Sequence, residues 1–261
     1  MAESDWILER PVPAFEDCHF YHTMDVPGHG VVRGEWDLRG NEREYLGNVD
    51  VSGKRVLELG TASGHLCFWM ERMGASVSAL DLSGDQEWDI VPYQGLDPGR
   101  RIADRQRHIE RLNNAFWLAH EAFGSKARVL YGSVYDMPED AGRFDIATMG
   151  SILLHLRDPF LALQRVSDHV GETIIVTDML PGLKCRLFDR LGGALGIRSL
   201  QFLPDSRRRE PIDTWWRLSP GLIAEFLGIA GFPDIRVTRH RQKWHDREVD
   251  MFTVVGSRRR Q

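Results

Sequence analysis

Cysteine is scarce in this sequence of 261 residues, because Cys18, Cys67 and Cys185 are the only three and stand far apart without a Cys-x-x-Cys spacing. Such a set gives neither a disulfide framework nor a thiolate zinc site, and it fits a reducing compartment. Long apolar runs are also missing, since no stretch approaches the ~20 residues that span a bilayer. The acidic first five residues differ from a basic secretory signal. We expect a cytoplasmic protein with no membrane partner.

Three common motifs are missing as well. The dinucleotide fingerprint Gly-x-Gly-x-x-Gly fails because Ala62 stands where the second glycine would admit a pyrophosphate. The nucleophile elbow Gly-x-Ser-x-Gly fails because Ser63 directly precedes Gly64, and no Gly-Lys-Ser/Thr follows to make a P-loop. An NAD(P)-dependent oxidoreductase stays a second-ranked alternative. Only His19 and His22, beside Cys18, form a close group of metal-binding types, so we expect no metal.

The charge balance gives no general attraction for nucleic acid. The formal net charge is -5 and the sequence pI is about 6.1, although arginines cluster at 207–209, 239–241 and 258–260. Hydrophobic residues make up 42% and charged residues 27% of the chain, a balance typical of a folded soluble domain. A nucleic-acid partner is therefore less expected than a small molecule.

From Lys54 onward, short β-branched or apolar runs alternate with longer helical patterns, which is typical of a parallel sheet covered on both faces. We predict an α/β, doubly wound, Rossmann-like fold with a seven-stranded sheet whose last strand is antiparallel. The predicted strands are Lys54–Leu59, Ser76–Leu82, Ala127–Tyr131, Phe144–Met149, Thr173–Asp178, Ile235–Arg239 and Glu248–Val255. The predicted helices cover residues 64–73, 100–123, 158–169 and 219–230.

Two segments stand outside this alternation. Residues 1–50 mix aromatic and polar side chains without a sustained period, so we predict an N-terminal cap on the carboxyl edge of the sheet, with disorder as the alternative. Residues 51–261 are expected to form the main domain. Within it, residues 180–218 combine Gly, Pro and Arg with apolar side chains and predict a lid over a pocket. The broken stretch 84–99 predicts a functional loop.

The most informative stretch is an apolar strand, residues 56–59, that ends in a glycine-containing turn and enters a helix. Ligands bind at such turns in open α/β sheets, where Gly60 and Gly64 allow a sharp bend and a close backbone approach. Asp81 ends the next strand, where a carboxylate accepts hydrogen bonds from ribose hydroxyls. Glu58 lies inside the apolar strand and needs a cationic or donor partner.

This arrangement, Glu58-x-Gly60-x-x-x-Gly64 with Asp81 ending the next strand, resembles the class I methyltransferases that use S-adenosylmethionine. The likeness extends over residues 54–256 and implies S-adenosyl-L-methionine as the cofactor. It implies that the glycines face the methionine part, that Asp81 holds the ribose, and that Ser133 and Val134 flank the adenine. The expected cofactor-binding residues are Glu58, Gly60, Thr61, Ala62, Gly64, Asp81, Leu82, Ser133, Val134, Met149, Tyr21 and Trp36.

A narrower likeness comes from Tyr21-His22, Gly34-x-Trp36-Asp37, residues 117–120, residues 150–159 and residues 215–220. These segments are similar to the methyltransferase group related to the tRNA wobble-uridine carboxymethyltransferase. The likeness bears on fold and cofactor more than on substrate.

His155 follows the fourth predicted strand and is the expected catalytic base, since an unperturbed imidazole with a pKa near ~6.5 removes a proton from a hydroxyl or amine. A histidine that only orders the loop before Asp158 is the alternative. Tyr21 and His22 are expected either to close over the sulfonium or the acceptor or to pack as surface aromatics. Trp36 is expected either to shield the sulfonium with its ring face or to anchor the core.

We therefore predict direct methyl transfer to an oxygen or nitrogen nucleophile of a small molecule. The apolar lid with arginines at 186, 190 and 198 suits an amphipathic acceptor with an anionic group. A tRNA-modifying (carboxy)methyltransferase and a non-catalytic adenosyl-binding module remain the alternatives.

Overall fold

The computed structural model describes residues 6–86, 88–180 and 198–259 of the chain. Strands and helices alternate from residue 55 onward, and shorter elements precede them. The strands are β1 (Met24–Val26), β2 (Gly30–Val32), β3 (Trp36–Asp37), β4 (Arg55–Leu59), β5 (Ser76–Asp81), β6 (Arg128–Tyr131), β7 (Phe144–Gly150), β8 (Val170–Met179), β9 (Leu200–Phe202), β10 (Trp216–Leu218), β11 (Asp234–Trp244) and β12 (Arg247–Ser257). The α-helices are α1 (Glu42–Tyr45), α2 (His65–Arg72), α3 (Pro98–Phe123), α4 (Pro159–Ser167) and α5 (Pro220–Ile229).

Eight of the described strands form one sheet in the order β3-β11-β12-β8-β7-β4-β5-β6. The five neighbours from β8 to β6 run parallel, and β12 lies antiparallel between β8 and β11. The predicted doubly wound α/β fold with an antiparallel last strand is confirmed. The sheet has one strand more than predicted, because Trp36 and Asp37 of β3 pair with Trp244 and Lys243 of β11.

Helices cover both faces of the parallel strands. On one face, Phe68 of α2 and Phe116 of α3 belong to a buried cluster that also contains Val56 of β4. On the other face, Leu163 of α4 packs in a second cluster that contains the next strand residue, Leu57. Successive residues of β4 therefore enter opposite cores, which explains why this strand is apolar at every position but one after Arg55.

The helix starts follow the capping signals in the sequence. The Asp158 side chain accepts a hydrogen bond from the Leu161 N–H at 2.9 Å, and Ser219 caps α5 through the Leu222 N–H at 3.2 Å, each with proline at the next position. Asp97 caps α3, so this helix begins two residues before the predicted boundary at Arg100. Capping thus fixes where the chain enters α4 and α5 after the loops around the sheet edge.

The N-terminal segment contains more regular structure than its sequence predicts. Strands β1 and β2 form a hairpin, and the Ile7 and Val129 backbones exchange hydrogen bonds of 2.7 and 2.8 Å. The His19 N–H donates to the Arg111 carbonyl of α3 at 2.9 Å. These backbone bonds join distant parts of the chain and therefore leave no periodic signal in the sequence.

The predicted lid is described only in part, because residues 181–197 lie outside the described residues. The described remainder contains β9 and β10, an antiparallel pair that brings Phe202 opposite Trp216. Strands β8, β11 and β12 extend beyond their predicted ends. Within the described ranges, the helices are too short or too polar to cross a membrane.

Candidate active site

A cavity of about 250 Å³ lies at the carboxyl ends of the parallel strands, beside β4. The strand order reverses at β4, because β5 and β6 follow on one side whereas β7 and β8 lie on the other. Eight predicted site residues line this cavity, namely Tyr21, Gly60, Ala62, Asp81, Leu82, Ser133, Val134 and His155. We call the wall formed by Gly60, Ala62, Asp81, Leu82, Ser133 and Val134 the glycine end, and the wall formed by Trp88, Asp89, Tyr135, His155 and Leu156 the histidine end.

In the turn after β4, every second residue from 60 to 64 has a backbone conformation in the left-handed region. Gly60, Ala62 and Gly64 have φ values of 71°, 50° and 87°. A Cβ on Gly60 would lie 2.6 Å from the Ile152 side chain, and a Cβ on Gly64 would lie 2.4 Å from the Phe68 ring. Gly64 is therefore required by the packing of α2 rather than by the cavity, which it does not line. The expected approach of a ligand to Gly64 has no counterpart in this geometry.

Asp81 holds the turn to the neighbouring strand. Its Oδ2 accepts a hydrogen bond from the Ala62 N–H and its Oδ1 one from the Leu82 N–H, both at 2.8 Å. Burial raises the pKa of Asp81, while these two backbone bonds act in the opposite direction. Each carboxylate oxygen accepts more than one hydrogen bond, so Asp81 keeps acceptor capacity toward the cavity that it lines.

Glu58 lines a second, smaller space of about 30 Å³, which shares Tyr21, Gly60 and Gly150 with the main cavity. The Glu58 carboxylate is buried and accepts a 2.7 Å hydrogen bond from the Thr61 hydroxyl. The pKa of Glu58 is raised to about 8, mainly by burial and also by the Asp81 charge, whereas the Thr61 hydrogen bond acts in the opposite direction. Among the described residues, Glu58 therefore has a hydroxyl group as a partner and no cationic partner.

Three other predicted cofactor residues do not line the main cavity. Thr61 is buried behind Glu58 and acts on it through the hydrogen bond above. Met149, a residue of β7, is fully buried in the core. Trp36 lines only the smaller space, where its indole N–H donates to the Tyr21 hydroxyl at 3.1 Å. This bond ties Trp36 to the cavity through Tyr21.

The rest of the glycine end comes from the loop after β6 and from α3. Ser133 caps the short 3-10 turn Val134–Asp136 by accepting a hydrogen bond from the Tyr135 N–H at 3.2 Å. The Asn113 amide of α3 donates to the Leu82 carbonyl at 3.0 Å and fixes the chain after β5. Leu82 and Val134 are thereby held as apolar walls of one cavity.

His155 lies at the histidine end, in the 3-10 turn Leu153–His155 after β7. Its Nδ1 is in hydrogen-bond contact with the Asp213 backbone carbonyl, which assigns the proton to Nδ1 and leaves Nε2 as an acceptor. Burial, with a further contribution from the positive charge of Arg105, lowers the pKa of His155 to about 4. The expected unperturbed imidazole is therefore wrong, because the ring is buried. The ring is neutral over the physiological pH range.

The sequence did not single out Trp88 or Asp89, which belong to the loop predicted at residues 84–99. The Trp88 and His155 rings stand edge to face, with centroids 5.9 Å apart. The Tyr135 hydroxyl donates to Asp89 Oδ2 at 2.5 Å, and the Arg157 N–H donates to the same oxygen at 2.7 Å. Long-range contacts such as these carry no local sequence signal beyond the unusual length of the loop.

A family model described as a methyltransferase domain matches residues 37–220, which is more than half of the chain. The chain belongs to this family. It is a class I methyltransferase, an enzyme whose cofactor is S-adenosyl-L-methionine, and the recognition made from the glycine turn and Asp81 is confirmed. The family match does not support the NAD(P) oxidoreductase, the second-ranked alternative from the sequence.

Two curated relatives and one solved structure illustrate the similarity. The ubiquinone biosynthesis O-methyltransferase of Marinobacter nauticus is 29% identical over 42% of this chain and 37% of its own length. The tRNA U34 carboxymethyltransferase of Idiomarina loihiensis is 24% identical over 73% of this chain and 49% of its own length. The chain thus spans less than half of either relative. Magnesium protoporphyrin IX methyltransferase from Synechocystis PCC 6803, crystallised with bound SAH, has a TM-score of 0.50 at 15% identity, covering 83% of this chain and 80% of that one, and shares the fold.

The polar and apolar groups that line the two spaces fit S-adenosyl-L-methionine. The smaller space contains the Glu58 carboxylate without a described cationic partner, and it is also lined by His22, whose buried Nδ1 lacks a hydrogen-bond partner among the described residues. The ammonium group of an amino acid would provide the cation for Glu58, and its carboxylate would provide a hydrogen-bond partner for His22. The main cavity supplies Asp81 for hydroxyls and apolar walls for a flat base. Among the described residues no group of three or more His, Cys, Asp or Glu could hold a metal ion.

Proposed function

We propose that this methyltransferase transfers a methyl group to an oxygen or nitrogen atom of a small aromatic molecule held at the histidine end. The observation that carries the proposal is the edge-to-face pair of Trp88 and His155 beside Leu156 on the cavity wall. Flat aromatic walls favour a flat ring, and they exclude water from the reacting atoms. The Marinobacter nauticus relative is named as an O-methyltransferase, which supports an oxygen acceptor.

The glycine end and the smaller space would hold the cofactor in this proposal. Asp81 would accept hydrogen bonds from the ribose hydroxyls, and Leu82, Ser133 and Val134, which line the same cavity, would enclose the adenine. Glu58, oriented by the Thr61 hydroxyl, partners the amino group of the methionine part. Ala62 and Gly60 contribute the backbone of the turn, and Tyr21 with Trp36 encloses the other side. Gly64 and Met149 act indirectly, by packing the turn and β7.

S-adenosyl-L-methionine supplies a methyl carbon that is electrophilic because it is bonded to a cationic sulfur. The chain supplies alignment, a dry site and a proton acceptor. His155 accepts the proton of the attacking hydroxyl or amine at Nε2, since Nδ1 is engaged by the Asp213 carbonyl. A neutral ring is the form required of a base, and the lowered pKa of His155 keeps it neutral.

Modification of tRNA is the second candidate, because one relative is named as a tRNA U34 carboxymethyltransferase and aligns with 73% of this chain. Arg207, Arg208 and Arg209 are exposed and offer cations for a phosphate backbone. The net charge of -5 opposes this candidate. It predicts binding of bulk tRNA with a steep salt dependence, whereas the aromatic acceptor predicts none.

Methyl-labelled cofactor tests the two candidates together. The enzyme is incubated with labelled S-adenosyl-L-methionine and either a panel of phenols, catechols and anilines or bulk tRNA. We expect label in an aromatic hydroxyl or amine and none in tRNA. Label in tRNA alone, or in no acceptor while thermal shift shows cofactor binding, would contradict the aromatic proposal. NADH serves as the control ligand in the thermal shift, where we expect no stabilisation.

A further inference from the structure

Asp213, which lies in the described part of the predicted lid, contacts the proposed base from outside the cavity. Its backbone carbonyl accepts the His155 Nδ1–H, and the Thr214 hydroxyl lies 3.5 Å from the same nitrogen. Asp213 is not itself among the cavity-lining residues. A hydrogen bond at one ring nitrogen of a histidine decides which tautomer forms and therefore which nitrogen can accept a proton. Residue 213 thus acts on the atom that the reaction uses.

The Asp213 side chain makes a second connection to the same end of the cavity. Its Oδ2 forms an ion pair with the Arg105 guanidinium of α3. The Arg105 guanidinium lies over the Trp88 ring, 5.1 Å from its centroid, and the Trp88 ring stands against His155. One acidic residue therefore joins the base and, through one cation, the aromatic wall opposite the base.

Hydrogen bonds hold the chain around Asp213 against the loop that carries Trp88. The Val91 N–H donates to the Ile212 carbonyl at 2.8 Å, and the Tyr93 hydroxyl donates to the Pro211 carbonyl at 3.1 Å. The Trp215 indole N–H donates to the Asp89 carbonyl at 2.6 Å. The backbone on both sides of Asp213 is thereby anchored, so its carbonyl is a fixed acceptor for the His155 ring.

We propose that Asp213 and Arg105 are positioning residues, which fix the Nδ1–H tautomer of His155 and hold Trp88 opposite it so that the acceptor's reactive atom meets Nε2. This inference rests on the proposed function, because it assigns the acceptor to the part of the cavity that those two rings line. Arg105 also places a positive charge near the ring, and Asp213 partly neutralises that charge. The other titratable groups that line the cavity, among the described residues, are Tyr21, Asp81, Asp89, His108 and Tyr135.

Three variants test the proposal: Arg105→Met, Asp213→Asn and the double variant that carries both substitutions. The asparagine keeps the backbone carbonyl and the side-chain shape but loses the ion pair. Each single change is expected to lower kcat about 10- to 100-fold, because small misplacements of reacting groups have effects of this size. The dissociation constant of the cofactor should stay within about twofold, because its ligands lie at the glycine end. The double variant should resemble the worse single variant, because both changes break one connection.

The ¹⁵N chemical shifts of the His155 imidazole give a readout that does not depend on activity. Removing the Arg105 charge should raise the pKa of His155, and removing the Asp213 charge alone should lower it further. Arg101→Met, an exposed position one turn earlier on α3, is the matched control and should change neither quantity. Circular dichroism of every variant reports folding, and Arg105→Lys is expected to restore part of the lost kcat by retaining the positive charge.

Unchanged His155 shifts and unchanged kcat in both single variants would overturn the positioning role. Strictly additive losses in the double variant would also overturn it, because independent effects do not pass through one ion pair. Failure of the proposed function gives a different result: His155→Ala would then keep full activity, while the ¹⁵N shifts of wild-type His155 would still respond to Arg105→Met.

Discussion

The two ends of the cavity are assembled in different ways. The glycine end takes Gly60, Ala62 and Asp81 from one strand–turn–helix unit and the next strand, and Glu58 of the adjoining smaller space belongs to the same run of 24 residues. The histidine end brings together Trp88 and His155 from two separate stretches of chain, and Asp213 contacts His155 from a third. We conclude that the cofactor can be deduced from local sequence in this fold, whereas the acceptor depends on distant contacts.

The largest expected effect is a fall in kcat without a change in cofactor affinity, which distinguishes the roles of the two ends. His155→Ala should lower kcat about 1000-fold, within the range for loss of a general base, because no other group is assigned to the proton. The cofactor dissociation constant should change less than about twofold, because His155 is at the other end of the cavity. Steady-state kinetics and calorimetry measure both quantities, and exposed His29→Ala is the control. A rise in the cofactor dissociation constant that matches the fall in kcat would remove the distinction between the ends.

Asp81→Asn should have the complementary effect. The carboxylate oxygens accept the Ala62 and Leu82 N–H groups and would also receive the ribose hydroxyls. Charged acceptors contribute about 1.5–3 kcal/mol per hydrogen bond, so cofactor affinity should fall about 100-fold. Titration calorimetry tests this, with the exposed Asp85→Asn as the matched control. Equal affinities for both variants would show that Asp81 serves only the turn.

Gly64→Ala tests whether this glycine serves packing rather than the ligand. The new Cβ would contact the Phe68 and Phe116 rings at 2.4 and 2.8 Å with φ at 87°, so the free energy of unfolding should fall by about 3 kcal/mol. Gly124→Ala, at a φ of 60° with open space, should lower it by about 1 kcal/mol. Urea unfolding compares the two variants. If Gly64→Ala is as stable as Gly124→Ala yet binds no cofactor, Gly64 belongs to the glycine end after all.

The smallest expected effect concerns the pH dependence of stability without cofactor. The folded pKa of Glu58 is raised to about 8, so the folded protein binds more protons than the unfolded chain between pH ~4.5 and 8, and its stability falls as pH rises through that window. Glu58→Gln should reduce this fall by on the order of 1–2 kcal/mol between pH 6 and 8. Asp178, whose pKa burial raises to about 7, leaves part of the slope in place.

Urea unfolding of wild type, Glu58→Gln and the exposed Glu44→Gln at pH 6 and pH 8 measures this effect. Parallel slopes for wild type and Glu58→Gln would mean that Glu58 has a partner that keeps it ionised in the folded state.

The sequence predicted the parallel strands and helices because their signals are local: apolar runs, the Asp158-Pro159 and Ser219-Pro220 caps, and the turn after β4. It did not predict β3, which exists only because Trp36 and Asp37 reach the edge strand β11. Met149 and Gly64 were assigned to the cofactor from their place in the motif. Spacing alone does not reveal that Met149 is buried in the core or that the Phe68 ring occupies the space beside Gly64.

His155 shows the same limit at the level of a single group. Its position after β7 follows from the sequence, but its lowered pKa follows from burial, and its tautomer follows from the carbonyl of a residue 58 positions later. Trp88 lies in a loop whose length indicated a function but not a contact. Contacts of this kind are set by the folded chain and carry no period or motif.

A structure of the protein crystallised with S-adenosylhomocysteine tests the central claim most directly. The account predicts the ribose hydroxyls within hydrogen-bond distance of Asp81, the amino group beside Glu58, and open space next to Trp88 and His155. Ligand density that fills the cavity beside those two rings, with Asp81 contacting only the Ala62 and Leu82 backbones, would contradict the division of the cavity into a cofactor end and an acceptor end.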